Sequence, residues 1–246
     1  MKNSFNLIQL PNNYFSFKQF TIYQDHCSLR VATDSCILGA WYAQKKLSAD
    51  YILDIGSGTG LLMLMLAQKT SSIIHGIEIE PSCFSQLVEN INQSPWPEKC
   101  FAKQGDVRSF PFTNQYDFII SNPPFFEGQL VAGDIKKDLA KHSTSLSLSE
   151  IFNVVKKILN PQGSFGILLP YSRTEEAITS AAEFGLFCTE KLFIKQTTGH
   201  TFFRTIMTFE KKNSGTSVQH EFPIRDEKNE YSPEFTTLLK DYYLHL

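Results

Sequence analysis

Residues 122–125, Asn-Pro-Pro-Phe, carry the most specific chemistry in this 246-residue chain. An aromatic or amide-like amine is a poor nucleophile because its lone pair is delocalised. It sharpens when both N–H groups donate to acceptors that draw the nitrogen toward tetrahedral geometry. The Asn122 side-chain oxygen is one such acceptor and the Pro123 carbonyl a second. Prolines fix that carbonyl's direction, so little ordering is needed on binding. Phe125 offers a face to a planar base, worth about 1–3 kcal/mol, and Phe126 is either a second wall or a core residue. Positioning, rather than a strong base, then does most of the catalysis. The bland alternative is a structural double-proline turn.

A second group of residues suits a charged ligand. Leu53-Asp54-Ile55-Gly56-Ser57-Gly58-Thr59-Gly60 ends an apolar run and opens an all-apolar helix from Leu61. Glycines allow a sharp turn and direct contact between ligand and backbone, and a helix N-terminus offers free N–H groups to a carboxylate or phosphate. A plain turn needs fewer glycines. Asp54 would repel a pyrophosphate and attract a cationic amine, so S-adenosylmethionine fits better than NAD. Glu78 lies 18 residues beyond Gly60, close to the offset of about 20 at which an acid meets ribose hydroxyls. Glu80 competes for that role. Asp106, after a third apolar run, suits the exocyclic amine of the cofactor's adenine; an exposed turn aspartate is the rival reading.

These residues need strands that end where they sit. Strand-like runs occupy 51–55, 73–79, 101–104, 116–121, 163–169, 188–195 and 201–209, and helix-like runs 60–69, 82–93, 147–159 and 173–184. Such alternation predicts an α/β fold with a parallel sheet and helical crossovers. The last two strands lack a helix between them and are expected to be antiparallel. Two adjacent prolines stop the run 116–121, holding Asn122 at a strand end, where open α/β sheets bind ligands. Phe15, Phe17, Phe20 and Ile22 alternate with polar residues, which predicts a short hairpin. Thr33 or Asp34 is expected to cap a helix carrying Ile37, Leu38 and Trp41. Residues 211–220 read as a polar link, and Ser232-Pro233 as the start of a helix presenting Phe235, Leu238, Leu239 and Tyr242.

Composition bounds the class. Hydrophobic residues make up 42% and charged residues 20%, with net charge −2, ordinary values for a globular protein. Nucleic-acid contacts must therefore rest on local patches. The candidates are Lys18 and Arg30, then Lys136, Lys137, Lys141 and His142, with Lys191, Lys195 and Arg204 extending the surface. Five scattered cysteines, without Cys-x-x-Cys spacing, predict reduced thiols and argue against a disulfide frame or a metal site. No signal-peptide core or membrane-length apolar run is present, so a cytoplasmic protein without a membrane partner is expected. A monomer is favoured.

Together these elements resemble the class I S-adenosylmethionine-dependent methyltransferases, in which Asn-Pro-Pro-aromatic marks enzymes acting on exocyclic or amide nitrogen. A narrower resemblance is carried by Phe15-Ser16-Phe17-Lys18-Gln19-Phe20, Gln24-Asp25, Val31-Ala32-Thr33-Asp34, Leu38-Gly39-Ala40-Trp41, Leu53 to Leu61 and Ser94-Pro95-Trp96. These are similar to the bacterial tRNA1(Val) adenine N6-methyltransferase family, over about residues 12–210. The resemblance implies a Rossmann-like fold: a seven-stranded, mostly parallel sheet with helices on both faces. It implies a hairpin extension over 1–30, a methyltransferase domain over 31–212, and a linker with a C-terminal helix over 213–246. It further implies N6-methylation of adenine 37 in the anticodon loop of a valine tRNA, whose bases are unpaired and cheap to extrude. By matching motif, Asp54, Gly56, Gly58, Gly60 and Glu78 would hold S-adenosylmethionine, Asp106 its adenine, and Asn122, Pro123, Pro124 and Phe125 the target base, with Asn122 also bordering the cofactor. Thr33 and Asp34 would close over the methionine end. Ser35-Cys36 stands where a glycine and an aliphatic residue are expected, a departure that should leave the ligands undisturbed. Two other acceptors remain open, a guanine N2 of ribosomal RNA and a release-factor glutamine amide. So does a Rossmann-type NAD enzyme or binding module, which the missing Gly-x-Gly-x-x-Gly argues against.

Overall fold

The computed structural model describes residues 12–45, 47–124 and 146–246. A hairpin of β1 (Tyr14–Ser16) and β2 (Thr21–Tyr23) comes first, as its alternation predicts. Helix α1 (Thr33–Ala43) follows. Then come β3 (Tyr51–Ile55), α2 (Leu61–Ala67), β4 (Ile73–Glu78), α3 (Pro81–Gln93), β5 (Cys100–Gln104) and β6 (Tyr116–Ser121). After them stand α4 (Leu148–Ile158), β7 (Leu159–Pro170), α5 (Thr174–Glu183), β8 (Phe187–Thr197), β9 (Phe202–Glu210), β10 (Val218–Arg225) and α6 (Pro233–Leu239).

The sheet order is β10-β8-β9-β7-β6-β3-β4-β5. Only β9 runs against its neighbours β7 and β8. From β3 the chain winds outward to β4 and β5; from β6 it winds the other way to β7. The order therefore reverses between β3 and β6, and a crevice opens beyond their C-terminal ends. The glycine loop and Asn122 follow those two ends.

Alternation along each strand sorts side chains to two cores. Ile52, Phe118 and Ile120 face α1, α2 and α3, whereas Leu53, Ile55 and Ile119 face α4 and α5. Glycine decides how closely α1 approaches. A Cβ on Gly166 of β7 would stand 2.4 Å from the Tyr42 ring, and the buried Tyr42 hydroxyl donates to the Met207 carbonyl at 3.0 Å. That seating brings the first turn of α1 over the end of β6.

The structure departs from expectation at three places. The sheet has eight strands, not seven. The eighth, β10, pairs in parallel with β8 and comes from the segment read as link and helix. Pro223 inside it masks the strand signal, and an edge strand tolerates proline. Helix α1 is capped by Ala32 with no side-chain bond, rather than by Thr33 or Asp34. Cys27 and Cys83 form a disulfide, which overturns the reduced-thiol reading for that pair. They are 56 residues apart in sequence and meet because β2 packs on α3, a proximity that spacing does not encode. Cysteine usage therefore gives no argument for a reducing compartment. Cys36, Cys100 and Cys188 are free. The residues after α6, whose docking the sequence leaves open, reach back to the hairpin: Phe17 bridges Tyr243, and the Lys18 N–H donates to the Tyr242 carbonyl at 2.8 Å. No helix among the described residues is long and apolar enough to cross a membrane.

Candidate active site

The glycine loop is shaped by backbone conformations that side chains resist. Gly56, Gly58 and Gly60 have φ of 71°, 53° and 85°, in the left-handed region. The N–H groups of Gly56 and Ser57 donate to the Ile77 carbonyl at 3.0 and 3.1 Å. A Cβ built on Gly56 or Gly58 meets nothing within 4 Å, so the cradle beside them is open.

Glu78 closes the other side. One carboxylate oxygen accepts from the Gly58 N–H and the other from the Glu80 N–H, both at 2.9 Å. Glu80 is committed elsewhere: its carboxylate caps α3 through the Cys83 N–H at 2.7 Å and takes the Ser82 hydroxyl at 2.6 Å. These bonds hold its carboxyl below the usual range. Of the two candidate acids, Glu78 is the one facing the glycine loop.

Asp54 is the anomaly. It is fully buried and neither carboxylate oxygen has a hydrogen-bond partner among the described residues. Burial, reinforced by the nearby Glu78 charge, pushes its pKa up to about 8. An acid in this state costs free energy unless a donor or cation completes it. The adjoining open cradle and the unpartnered acid fit a ligand carrying an amine.

Asp106 stands past the end of β5, where the Gly105 N–H donates to the Glu78 carbonyl at 2.9 Å. Its carboxylate takes a bidentate bond from Arg108, with Nη2 donating to Oδ2 at 2.6 Å and Nε to Oδ1 at 2.9 Å. Those bonds hold Asp106 low. Arg108 also reaches Glu150 of α4 at 3.2 Å, so Asp106 is braced from behind.

Asn122 is half-buried at the end of β6, with Pro123 buried and Pro124 exposed. Its Nδ2 donates to the Ser35 hydroxyl at 2.8 Å. Ser35 in turn is fixed by α1: its N–H donates to Asp34 Oδ1 at 2.8 Å, and Asp34 Oδ2 accepts from Arg204 Nε at 3.0 Å. The Ser35 departure has a structural consequence that the sequence does not show: its hydroxyl contacts the Asn122 amide directly. Sequence reading also misses Asn90. This fully buried residue takes the Tyr23 N–H at 3.0 Å and donates to the Thr59 carbonyl at 2.8 Å, tying the hairpin to the glycine loop. Its only sequence signal is a polar residue beside Leu87 and Ile91 on the apolar face of α3.

The structure brings together Asp54, the glycines, Glu78, Ser35 and Asn122; Thr33 and Asp34 adjoin them in the first turn of α1. The basic candidates are dispersed. Lys18 donates to the Lys240 carbonyl at 2.6 Å and Arg30 to the Asn12 carbonyl at 2.9 Å. Lys195 pairs with Glu221 at 2.7 Å, and Lys191 is buried to 9% exposure. Phe125, Phe126, Lys136, Lys137, Lys141 and His142 lie outside the described residues. Among the described residues no group of three or more His, Cys, Asp or Glu is arranged to hold a metal ion.

Comparison with known proteins shows the family and the fold. The methyltransferase small domain family model matches residues 41–170. The chain is 38% identical over 240 residues to the tRNA1(Val) (adenine(37)-N6)-methyltransferase of Dyadobacter fermentans, covering 96% of this chain and 99% of that protein. Among solved structures, a predicted O-methyltransferase, Atu636 from Agrobacterium tumefaciens, superposes with a TM-score of 0.63 at 14% identity, over 84% of this chain and 95% of that one. The glycopeptide N-methyltransferase MtfA complexed with S-adenosyl-L-methionine superposes with a TM-score of 0.54. In the S-adenosyl-L-methionine complex the match is 10% identical and covers 72% of this chain and 87% of that one.

Proposed function

Because this chain belongs to the methyltransferase small domain family, and to the tRNA1(Val) (adenine(37)-N6)-methyltransferases, we propose that it methylates N6 of adenine 37 in the anticodon loop of a valine tRNA. The cofactor is S-adenosylmethionine, which when bound supplies an electrophilic methyl group. The residues present fit it. Asp54 offers an unpartnered acid to a cationic amine, the open cradle at Gly56 and Gly58 admits backbone contact, and the Glu78 carboxylate facing the glycine loop is assigned to the ribose hydroxyls. Asp106 is assigned to the adenine end, and Thr33 and Asp34 to the methionine end.

The observation that carries the reading is the commitment of Asn122 Nδ2 to Ser35. With the nitrogen turned toward Ser35, Oδ1 is the end presented to a target amine. Oδ1 and the Pro123 carbonyl then accept the two N–H groups of that amine, and its lone pair is freed to attack. The nitrogen would take the methyl as the sulfonium C–S bond breaks to leave a thioether, and the proton it then sheds would pass to solvent. Phe125 is assigned to the base face, and Pro124 holds the turn. Lys18, Arg30, Lys136, Lys137 and Lys141 are assigned to the phosphate backbone.

The test is methyl transfer to a valine tRNA transcript, followed by nuclease digestion and mass spectrometry. N6-methyladenosine at position 37 is expected. A methyl group on guanine N2, or transfer only to a release factor, would assign one of the other two acceptors instead.

A further inference from the structure

The C-terminal segment builds one wall of a cavity that the sequence does not announce. The cavity holds about 400 Å³ and opens beside the first turn of α1, with Thr33 and Asp34 on one side. Gln196 near the end of β8 and Phe203 near the start of β9 form the second side; Arg225, the last residue of β10, and Tyr231 form the third. Its described lining includes neither Ser35 nor Asn122. Yet Asp34 is bonded to the Ser35 N–H, and Ser35 holds Asn122. The cavity therefore adjoins the reacting position through Asp34, and its described lining does not include Asn122.

Its walls are flat, cationic and able to read a polar edge. The Arg225 guanidinium lies 4.4 Å over the Tyr231 ring. Tyr231 is backed by Phe235, stacked at 4.5 Å and 12°. Phe203 has the Arg204 guanidinium 5.5 Å from its ring. Gln196 is exposed and carries both a donor and an acceptor. The one acid, Asp34, is neutralised by Arg204. Unpaired RNA bases are held by stacking on aromatic rings and guanidinium planes with hydrogen bonds to their edges. The volume lies within the range of small-molecule sites.

We infer that this cavity takes one nucleotide adjacent to the methylated adenine, with the base against the Arg225–Tyr231 wall and its edge read by Gln196. The inference rests on the tRNA reading of the preceding subsection. It gives residues 218–231 a task in substrate selection, beyond completing the sheet.

The test uses full-length valine tRNA carrying an abasic residue at either position flanking adenine 37, with wild-type enzyme, Gln196→Ala and Arg225→Gln. Gln196 is exposed, so its truncation is not expected to disturb folding; a thermal melt checks Arg225→Gln. With intact tRNA each variant should lose about tenfold in kcat/KM, mainly through KM. One abasic substrate should cost the wild type a similar factor, and the variants should be indifferent to that same lesion. Penalties that multiply independently, or no penalty from either change, overturn the cavity assignment while the tRNA reading stands. Failure of wild-type enzyme to methylate intact tRNA overturns both.

Discussion

The Asn122 carboxamide donates through Nδ2 to the Ser35 hydroxyl at 2.8 Å, linking the end of β6 to the first turn of α1. Either of an amide's two ends can face a substrate, and this bond selects the oxygen. Ser35→Ala should therefore lower kcat about 3- to 10-fold, matching a lost hydrogen bond of about 0.5–1.5 kcal/mol. Cofactor affinity should hold, and Ser35→Thr should recover much of the rate. Steady-state kinetics with calorimetric cofactor titration separates the two effects.

Asn122→Ala removes the acceptor itself. Turnover should fall by about 10²–10³, the usual loss for one preorganised transition-state contact. Cofactor binding should stay near wild type. Loss of binding with turnover intact would contradict the assignment.

Gly58→Val should abolish cofactor affinity. The position has φ of 53° and an open Cβ direction, so the substitution both strains the turn and fills the cradle. Gly185→Val is the control, with φ of 72° and equally open space, away from the glycine loop. It should lower the melting temperature while cofactor titration stays normal.

Asp54 predicts a pH signature. Its carboxyl rises from 3.8 to about 8 on folding, so the unfolded chain holds fewer protons there than the native one. Its contribution to stability is full below the unfolded value and is lost as pH rises through about 8. Melting temperatures of ligand-free protein between pH 5 and 9 should fall less steeply in Asp54→Asn. A cationic ligand group beside Asp54 favours its ionised form. Cofactor binding near pH 7 should then release a proton, seen as a binding enthalpy that varies with buffer. Asp54→Asn should remove that variation.

The disulfide between Cys27 and Cys83 should contribute about 2–4 kcal/mol. Denaturant unfolding with and without reductant measures it, and Cys27→Ser should reproduce the reduced curve.

Much of this architecture is written locally. The run ending at Ser121 followed by two prolines, and the glycine loop after Ile55, mark both sides of the crevice because strand ends and turns have strong residue preferences. What was hidden depends on contacts distant in sequence. Ser35 meets Asn122 only once Gly166 lets α1 settle on the sheet. Asn90 acquires its partners from a hairpin some 67 positions away. Cys27 and Cys83 pair through the same docking. β10 carries a proline that is acceptable only because the strand lies at an edge.

Phe17 and Tyr243 form a bridge that fastens the hairpin to the residues after α6. The Lys18 amide, bonded to the Tyr242 carbonyl, therefore reports by hydrogen exchange on whether those residues stay docked, and loosening them should speed exchange there ahead of global unfolding.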